Sequence, residues 1–198
     1  MKKIKELLLQ SFLIFLSVFL GIVASNWNEE RRETKKTKSF LVNLTKEIKS
    51  NKKSIEKSIP YHKKIGEVYD SLYANMDKKT VQMDMVEFGG LHALPGWDGL
   101  RVASIEQSVY KSGMSVGVFE NVSMELLTKI ARVNSIENEY IRFYRSVSDK
   151  LLNYTADTKV LDYYVVLQIL GKDLLYMENG MIKAYENLIK EIEEESSR

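Results

Sequence analysis

Hydrophobic positions along the chain fall into three patterns. The first is unbroken: Leu7 to Ala24 is 18 residues without a charge. As a helix rising about 1.5 Å per residue, it covers roughly 27 Å, close to the hydrocarbon core of a bilayer. The second is helical spacing in a charged background. Phe40, Leu44, Ile48, Ile55 and Ile59 recur at three- and four-residue steps or their sums, with Lys and Glu between them. Pro60 interrupts this run, and Ser58 is placed to cap a further helix carrying Ile65, Val68, Tyr69, Leu72, Tyr73 and Met76 on one side. The third pattern is irregular. From Thr80 to Gly99 the apolar residues Val81, Met83, Met85 and Val86 fit neither period, and Gly89-Gly90 and Leu94-Pro95-Gly96-Trp97-Asp98-Gly99 mark a loop segment.

Helical spacing then returns. Val102, Ile105 and Val109 predict a short helix over 100–112, and the turn Ser112-Gly113 is placed to end it, with Gly113 as a left-handed C-cap. Asn121 or Ser123 can cap a long helix reaching about Asn153. Its stripe is Leu126, Ile130, Val133, Tyr140, Tyr144, Val147, Leu151 and Tyr154, with Glu137 as the one polar member. A last helix begins near Asp157 or Thr158 and runs toward Glu194. Val160, Tyr164, Leu167, Leu174, Met181, Tyr185, Leu188 and Ile192 lie on its buried face, and Gly171 and Gly180 mark bends or close approaches. The expected fold is all-α. Residues 1–27 form a transmembrane anchor, 28–59 a charged stalk helix and 60–198 a helical bundle, in which the two long helices pair antiparallel.

The flanks of the apolar run support an anchor. Lys2, Lys3 and Lys5 precede it, and Asn26, Trp27 and Asn28 follow, where an indole sits between lipid tails and headgroups. Val23-Ala24-Ser25 resembles a signal-peptidase site, but the run exceeds the usual apolar core of a leader and the helical pattern continues past Ser25, so an uncleaved anchor is expected. Ser17, Gly21 and Ser25 share one face at four-residue steps. Small residues at this spacing let a second helix approach closely, which makes them candidate transmembrane packing residues. Basic residues stand on both sides of the span. A short inside N-terminus with an exported body is the expected orientation of a signal-anchor.

Composition narrows the function. Hydrophobic residues are 44% and charged residues 28% of the chain, which describes a globular body. Two prolines favour long helices, and the absence of cysteine excludes disulfides and thiol catalysis. The net charge of +2 hides an asymmetry: Arg31 to Lys64 holds twelve Lys/Arg against three acids, and Glu186 to Glu195 five acids against one Lys. The basic stretch reads as a solvated helix face; no nucleic-acid module surrounds it, and nucleic acid is not an expected partner. Two histidines, His62 and His92, lack the spacing of a metal site. Ser-x-x-Lys at Ser50, Ser54 and Ser108 lacks the companion motifs of a Ser–Lys enzyme, and no phosphate loop occurs. No catalytic residue, metal or cofactor is expected. Eleven tyrosines need hydroxyl partners within a bundle, or else line a small-ligand pocket. Trp97 either plugs the core or contacts a partner.

Two stretches carry a resemblance. Gly21-Ile22-Val23-Ala24-Ser25-Asn26-Trp27-Asn28-Glu29-Glu30-Arg31 ends the span. Ile105-Glu106-Gln107-Ser108-Val109-Tyr110-Lys111-Ser112-Gly113 is followed by an apolar patch, Asn121, a Leu-rich helix and Tyr140. Together they resemble a bacterial domain-of-unknown-function family of small single-pass membrane proteins with a Gly-Ile-x-x-x-x-Asn-Trp-Asn-Glu span end. The N-terminal tail is shorter here, and Ser25 replaces a larger polar residue. The resemblance implies architecture and a bacterial cytoplasmic membrane, and no activity. The expectation is a non-enzymatic sensor, adaptor or scaffold. Its partners are the lipid bilayer and a second copy or another membrane protein. A small-ligand sensory domain is the alternative, and an envelope enzyme the third class.

Overall fold

A computed structural model describes residues 2–196, so Met1, Ser197 and Arg198 lie outside the described residues. The described chain is helical throughout its long elements, as the periodicity predicts. Helix α1 is Lys2–Ala74, 73 residues and about 110 Å long. The end of the body far from the apolar stretch of α1 is built from α2 (Lys78–Gln82), α3 (Met85–Phe88) and a 3₁₀ turn at Leu91–Ala93. An extended strap over 99–107 leads to α4 (Ser108–Ser115) and a second 3₁₀ turn at Val118–Asn121. Helix α5 is Met124–Leu152 and α6 is Val160–Gln168. A π-helical segment at Ile169–Leu174 joins α6 to α7, Leu175–Ser196.

The two stripes read from the C-terminal half supply the core of the bundle, except for Tyr154, which lies beyond the end of α5 and is exposed. Leu126, Ile130, Val133, Tyr140 and Val147 of α5 are buried, as are Val160, Tyr164, Leu167, Leu174, Met181, Tyr185, Leu188 and Ile192. Helix α7 runs antiparallel to α5, with Glu191 beside Lys129 and Glu178 beside Tyr140. It also runs antiparallel to α1, with Glu193 near Lys49 and Glu178 bonded to Ser58. Helices α1 and α5 thus run parallel, both packed on α7, and the strap fills the seam between them. An extended segment takes the place that a fourth helix holds in a four-helix bundle.

Three expectations are corrected. Pro60 does not end a helix: α1 continues through it, although its ring leaves the Glu56 carbonyl without an amide donor. The chain is held helical from both sides, because Ile55 and Ile65 are fully buried. The helix enters the body at Phe40, and Phe40, Leu41, Leu44 and Ile48 already belong to the core. The stretch 100–107 is non-helical, with Arg101 at φ 50°, and α4 starts only at Ser108. Gly113 lies inside α4 and is no cap. Its missing side chain admits the Phe40 ring, which a Cβ would meet at 2.4 Å. The C-cap is Val116, to whose N–H the Ser112 carbonyl is bonded, and the left-handed glycine is Gly117 at φ 70°.

The crossing of α1 with the π segment is a backbone contact. A Cβ on Gly171 would stand 2.3 Å from Gly66 Cα, and one on Gly66 would stand 2.7 Å from the Gly171 carbonyl oxygen. Gly180 has open space instead, with no atom within 4 Å. Gly171→Ala is expected to destabilise the protein by about 2–3 kcal/mol through overpacking. Gly180→Ala should stabilise it by about 0.5–1 kcal/mol through helix propensity. Denaturant unfolding of the detergent-solubilised chain measures both.

Candidate functional site: a strap laced by buried side chains

An extended segment with no strand beside it has unpaired peptide groups, and burying them unpaired costs about 1–3 kcal/mol each. Here side chains supply the partners. Asn51, 1% exposed, acts as a one-residue strand: its Oδ1 accepts the Glu106 N–H at 2.9 Å and its Nδ2 donates to the Glu106 carbonyl at 2.8 Å. One turn along α1, Ser54 Oγ accepts the Ser104 N–H at 3.0 Å. Tyr61 donates to the Gly99 carbonyl at 2.6 Å, and His62 Nε2 donates to the Leu100 carbonyl at 2.8 Å. From α5, the Tyr140 hydroxyl accepts the Ala103 N–H at 3.0 Å. Glu47 Oε2 accepts the Val109 N–H and the Ser108 hydroxyl, at 2.8 and 2.7 Å. This carboxylate from α1 caps the N-terminus of α4, where negative charge is favourable and where Gln107 makes no side-chain cap of its own.

Behind the strap stand two further carboxylates in the core. Glu137 Oε1 accepts from Asn51 Nδ2 at 3.0 Å and from Tyr185 at 2.8 Å, and its Oε2 accepts from Gln107 at 3.2 Å. Burial pushes its carboxyl above the ordinary range, against the opposing pull of the bonds from Tyr185, Gln107 and Asn51. Glu178 is fully buried. Its Oε1 accepts from Ser58 and Tyr140, at 2.7 and 3.1 Å, and its Oε2 lies 2.9 Å from His62 Nδ1. A carbonyl only accepts, so His62 Nε2 carries a hydrogen toward Leu100, and one proton lies between Nδ1 and Glu178. Tyr140 and Tyr185 are both held protonated, first by burial and then by the neighbouring carboxylates Glu178 and Glu137 respectively. His62, Glu178 and Tyr140 would suit proton transfer, yet all three are fully buried and line none of the clefts described below. What the arrangement does is bind the strap.

The residues singled out from sequence sit elsewhere. Ser17, Gly21 and Ser25 share one exposed face of α1, with no atom within 4 Å of the position a Gly21 Cβ would take. The Ser17 hydroxyl donates to the Leu13 carbonyl at 2.7 Å, so its own helix satisfies it. Asn26, Trp27 and Asn28 are exposed, and the Arg31 guanidinium lies over the Trp27 ring, 5.1 Å from its centroid. Trp97 is half-buried against the core at the end of the body far from the apolar stretch, next to Asp98, whose N–H donates to the Tyr61 hydroxyl. Ser112 and Gly113 line a groove of about 1030 Å³ between α1 and α4. Arg32, Lys35, Lys36 and Lys46 rim it, and Phe40, Val109 and Val116 supply its apolar surface. Tyr140 and Tyr185, both fully buried, turn their hydroxyls to carboxylates, not to a pocket.

The strap-binding residues were missed because only apolar positions were counted along α1. Leu41, Leu44, Ile48, Asn51, Ile55, Ser58, His62 and Ile65 step by three and four without a gap. Asn51, Ser58 and His62 occupy heptad core positions. Glu178 likewise fills the step between Leu174 and Met181. A polar residue that keeps the phase of an apolar stripe was the available signal. No protein-family model matches the chain, and no curated protein or solved structure matches it either.

Tyr140→Phe removes a donor to Glu178 and the acceptor for the Ala103 N–H. It is expected to lose about 1–3 kcal/mol of stability. Tyr73→Phe, at an exposed position, should change it by less than about 0.5 kcal/mol. Thermal unfolding of the two variants side by side checks this.

Proposed function

We propose that the protein is a single-pass membrane protein whose helical body acts, without catalysis, as a sensor, adaptor or scaffold through helix–helix contacts. The carrying observation is the make-up of α1. Every residue from 9 to 32 is exposed, among them Phe12, Phe15, Phe19 and Trp27, whereas the same helix from Phe40 onward is core. A continuous apolar surface of this length needs lipid or another helix to cover it. The apolar stretch of α1 is long enough to cross a membrane. In this reading the body cannot shift relative to the span without moving α1, which holds the strap at residues 51, 54, 61 and 62 and the start of α4 at residue 47. A partner on the body would thereby bias the span, and the Ser17, Gly21 and Ser25 face would hand that bias to a second copy or another membrane protein. The membrane in this proposal is the bacterial cytoplasmic membrane, with the body on its outer side.

The absence of cysteine makes the test direct. Gly21→Cys in native membranes is expected to form a disulfide-linked dimer, or a crosslink to a second protein, more efficiently than Phe19→Cys on a different face. Asp157→Cys on the exposed membrane-distal turn should react with an impermeant maleimide in intact cells. Equal crosslinking at residues 19 and 21 would remove the packing face from the proposal. Labelling of Asp157→Cys only after lysis would place the body in the cytoplasm.

A further inference from the structure

A second cleft, of about 750 Å³, lies on the outer side of the strap, between it and α5. Its volume is that of a small-molecule site. Three cations line it, Lys111, Arg142 and Arg145, together with Asn134, Asn138 and Gln107, and no carboxylate does. Among the described residues, none of the three cations has a carboxylate within ion-pair distance, so their charges are left for a ligand. Arg142 and Arg145, one helical turn apart, stand on the same side of α5.

The amides of this cleft are oriented from inside the core. Glu137 Oε2 accepts from Gln107 Nε2, which fixes the nitrogen end of the Gln107 amide inward. The same nitrogen is 3.2 Å from both Asn134 Oδ1 and Asn138 Oδ1, and its second hydrogen is shared between these two oxygens. Their Nδ2 groups, on the other branch of each amide, have no protein partner among the described residues. The buried carboxylate thus sets a chain of amides whose outer end presents donors, in a cleft whose charged groups are all donors as well. A cavity of this kind is complementary to an acceptor-only, negatively charged ligand.

We propose that this cleft binds a small anion carrying at least two phosphate or carboxylate groups, held by Lys111, Arg142 and Arg145 and by the Asn134 and Asn138 amides. Two arginines suit oxyanion groups that accept two parallel hydrogen bonds. Residue 51, beside which the cleft lies, is 24 residues beyond Trp27 on α1, about 36 Å along the helix. A headgroup of the bilayer holding the span is out of reach, and the ligand is a soluble one. The proposal holds whether or not the apolar stretch crosses a membrane.

The probes are pyrophosphate and citrate, titrated at constant ionic strength against the full chain in a neutral detergent, with binding read by calorimetry and thermal shift. Binding of pyrophosphate, of citrate, or of both is expected, and the pattern tells a phosphate ligand from a carboxylate one. Arg142→Gln and Arg145→Gln should each weaken it by about tenfold or more. Asn138→Asp is the sharper variant. It keeps an oxygen on Gln107 and replaces the outward donor with a charged acceptor, so it should abolish binding with thermal stability in the absence of ligand nearly unchanged. Lys78→Gln with Lys79→Gln, at the far end of the body, should leave affinity as it was. Failure of both probes to bind overturns the proposal. So does a loss of affinity in the Lys78/Lys79 variant equal to that in the arginine variants, or undiminished binding to Asn138→Asp.

Discussion

A length of non-helical backbone lies in a seam between helices, and the peptide groups it turns toward the core must be bonded by side chains. A strand in a sheet meets this demand through its neighbours, but a strap in a helical bundle has none. That constraint accounts for residues that would otherwise look misplaced in the core. Asn51 is buried because Glu106 needs both a donor and an acceptor. Glu137 is buried because Asn51, Gln107 and Tyr185 then need an acceptor. Glu178 plays the same part for Tyr140, Ser58 and His62, two of which bond the strap directly. Each carboxylate is tolerable only because donors surround it, and each donor is held in place by its carboxylate. An apolar heptad core would pack as densely, but it would give the strap no register.

The lacing also explains why one helix dominates the architecture. Helix α1 carries the apolar stretch, caps α4 through Glu47 and binds the strap at four further positions. At the far crossing it meets the π segment backbone to backbone, at Gly66 and Gly171. A π turn widens the helix locally, and such turns recur where a helix must adjust its phase against a neighbour. Here the adjustment lets Leu167 and Leu170 on one side, and Leu174 and Glu178 on the other, all face the core. Two features that weaken a free helix, Pro60 and the π turn, are kept where contacts on both sides hold the backbone.

Much of this was legible in the sequence, and the failures share a cause. The stripes of α5 and α7 were read residue by residue, because their apolar periodicity is nearly complete. Glu137 was noticed as a polar intruder for the same reason. The strap was read as a helix because Val102, Ile105 and Val109 step by three and four. Yet three apolar residues in eight are weak evidence, and the competing long-range bonds to Asn51, Ser54 and Tyr140 leave no local trace. Gly113 was read as a cap from its place after a predicted helix, but its real constraint is the Phe40 ring, more than seventy positions earlier. Pro60 was given its local meaning, which tertiary packing of Ile55 and Ile65 overrides. Local rules failed where distant residues set the answer, and those are the places where the strap and its ligands meet.

The central claim is that side chains hold the strap as firmly as a ladder would hold a strand. Amide hydrogen exchange of the full chain in detergent tests it, read at Ala103, Ser104, Glu106 and Val109. The account predicts slow exchange for Ala103, Glu106 and Val109, comparable with the core of α5, and intermediate exchange for the more exposed Ser104. It predicts fast exchange at Gly96, Ala156 and Asp157, in exposed turns where these amides bond nothing among the described residues. If all four exchange as fast as those turns, the strap is not bound by its side-chain partners, and the buried carboxylates need another explanation.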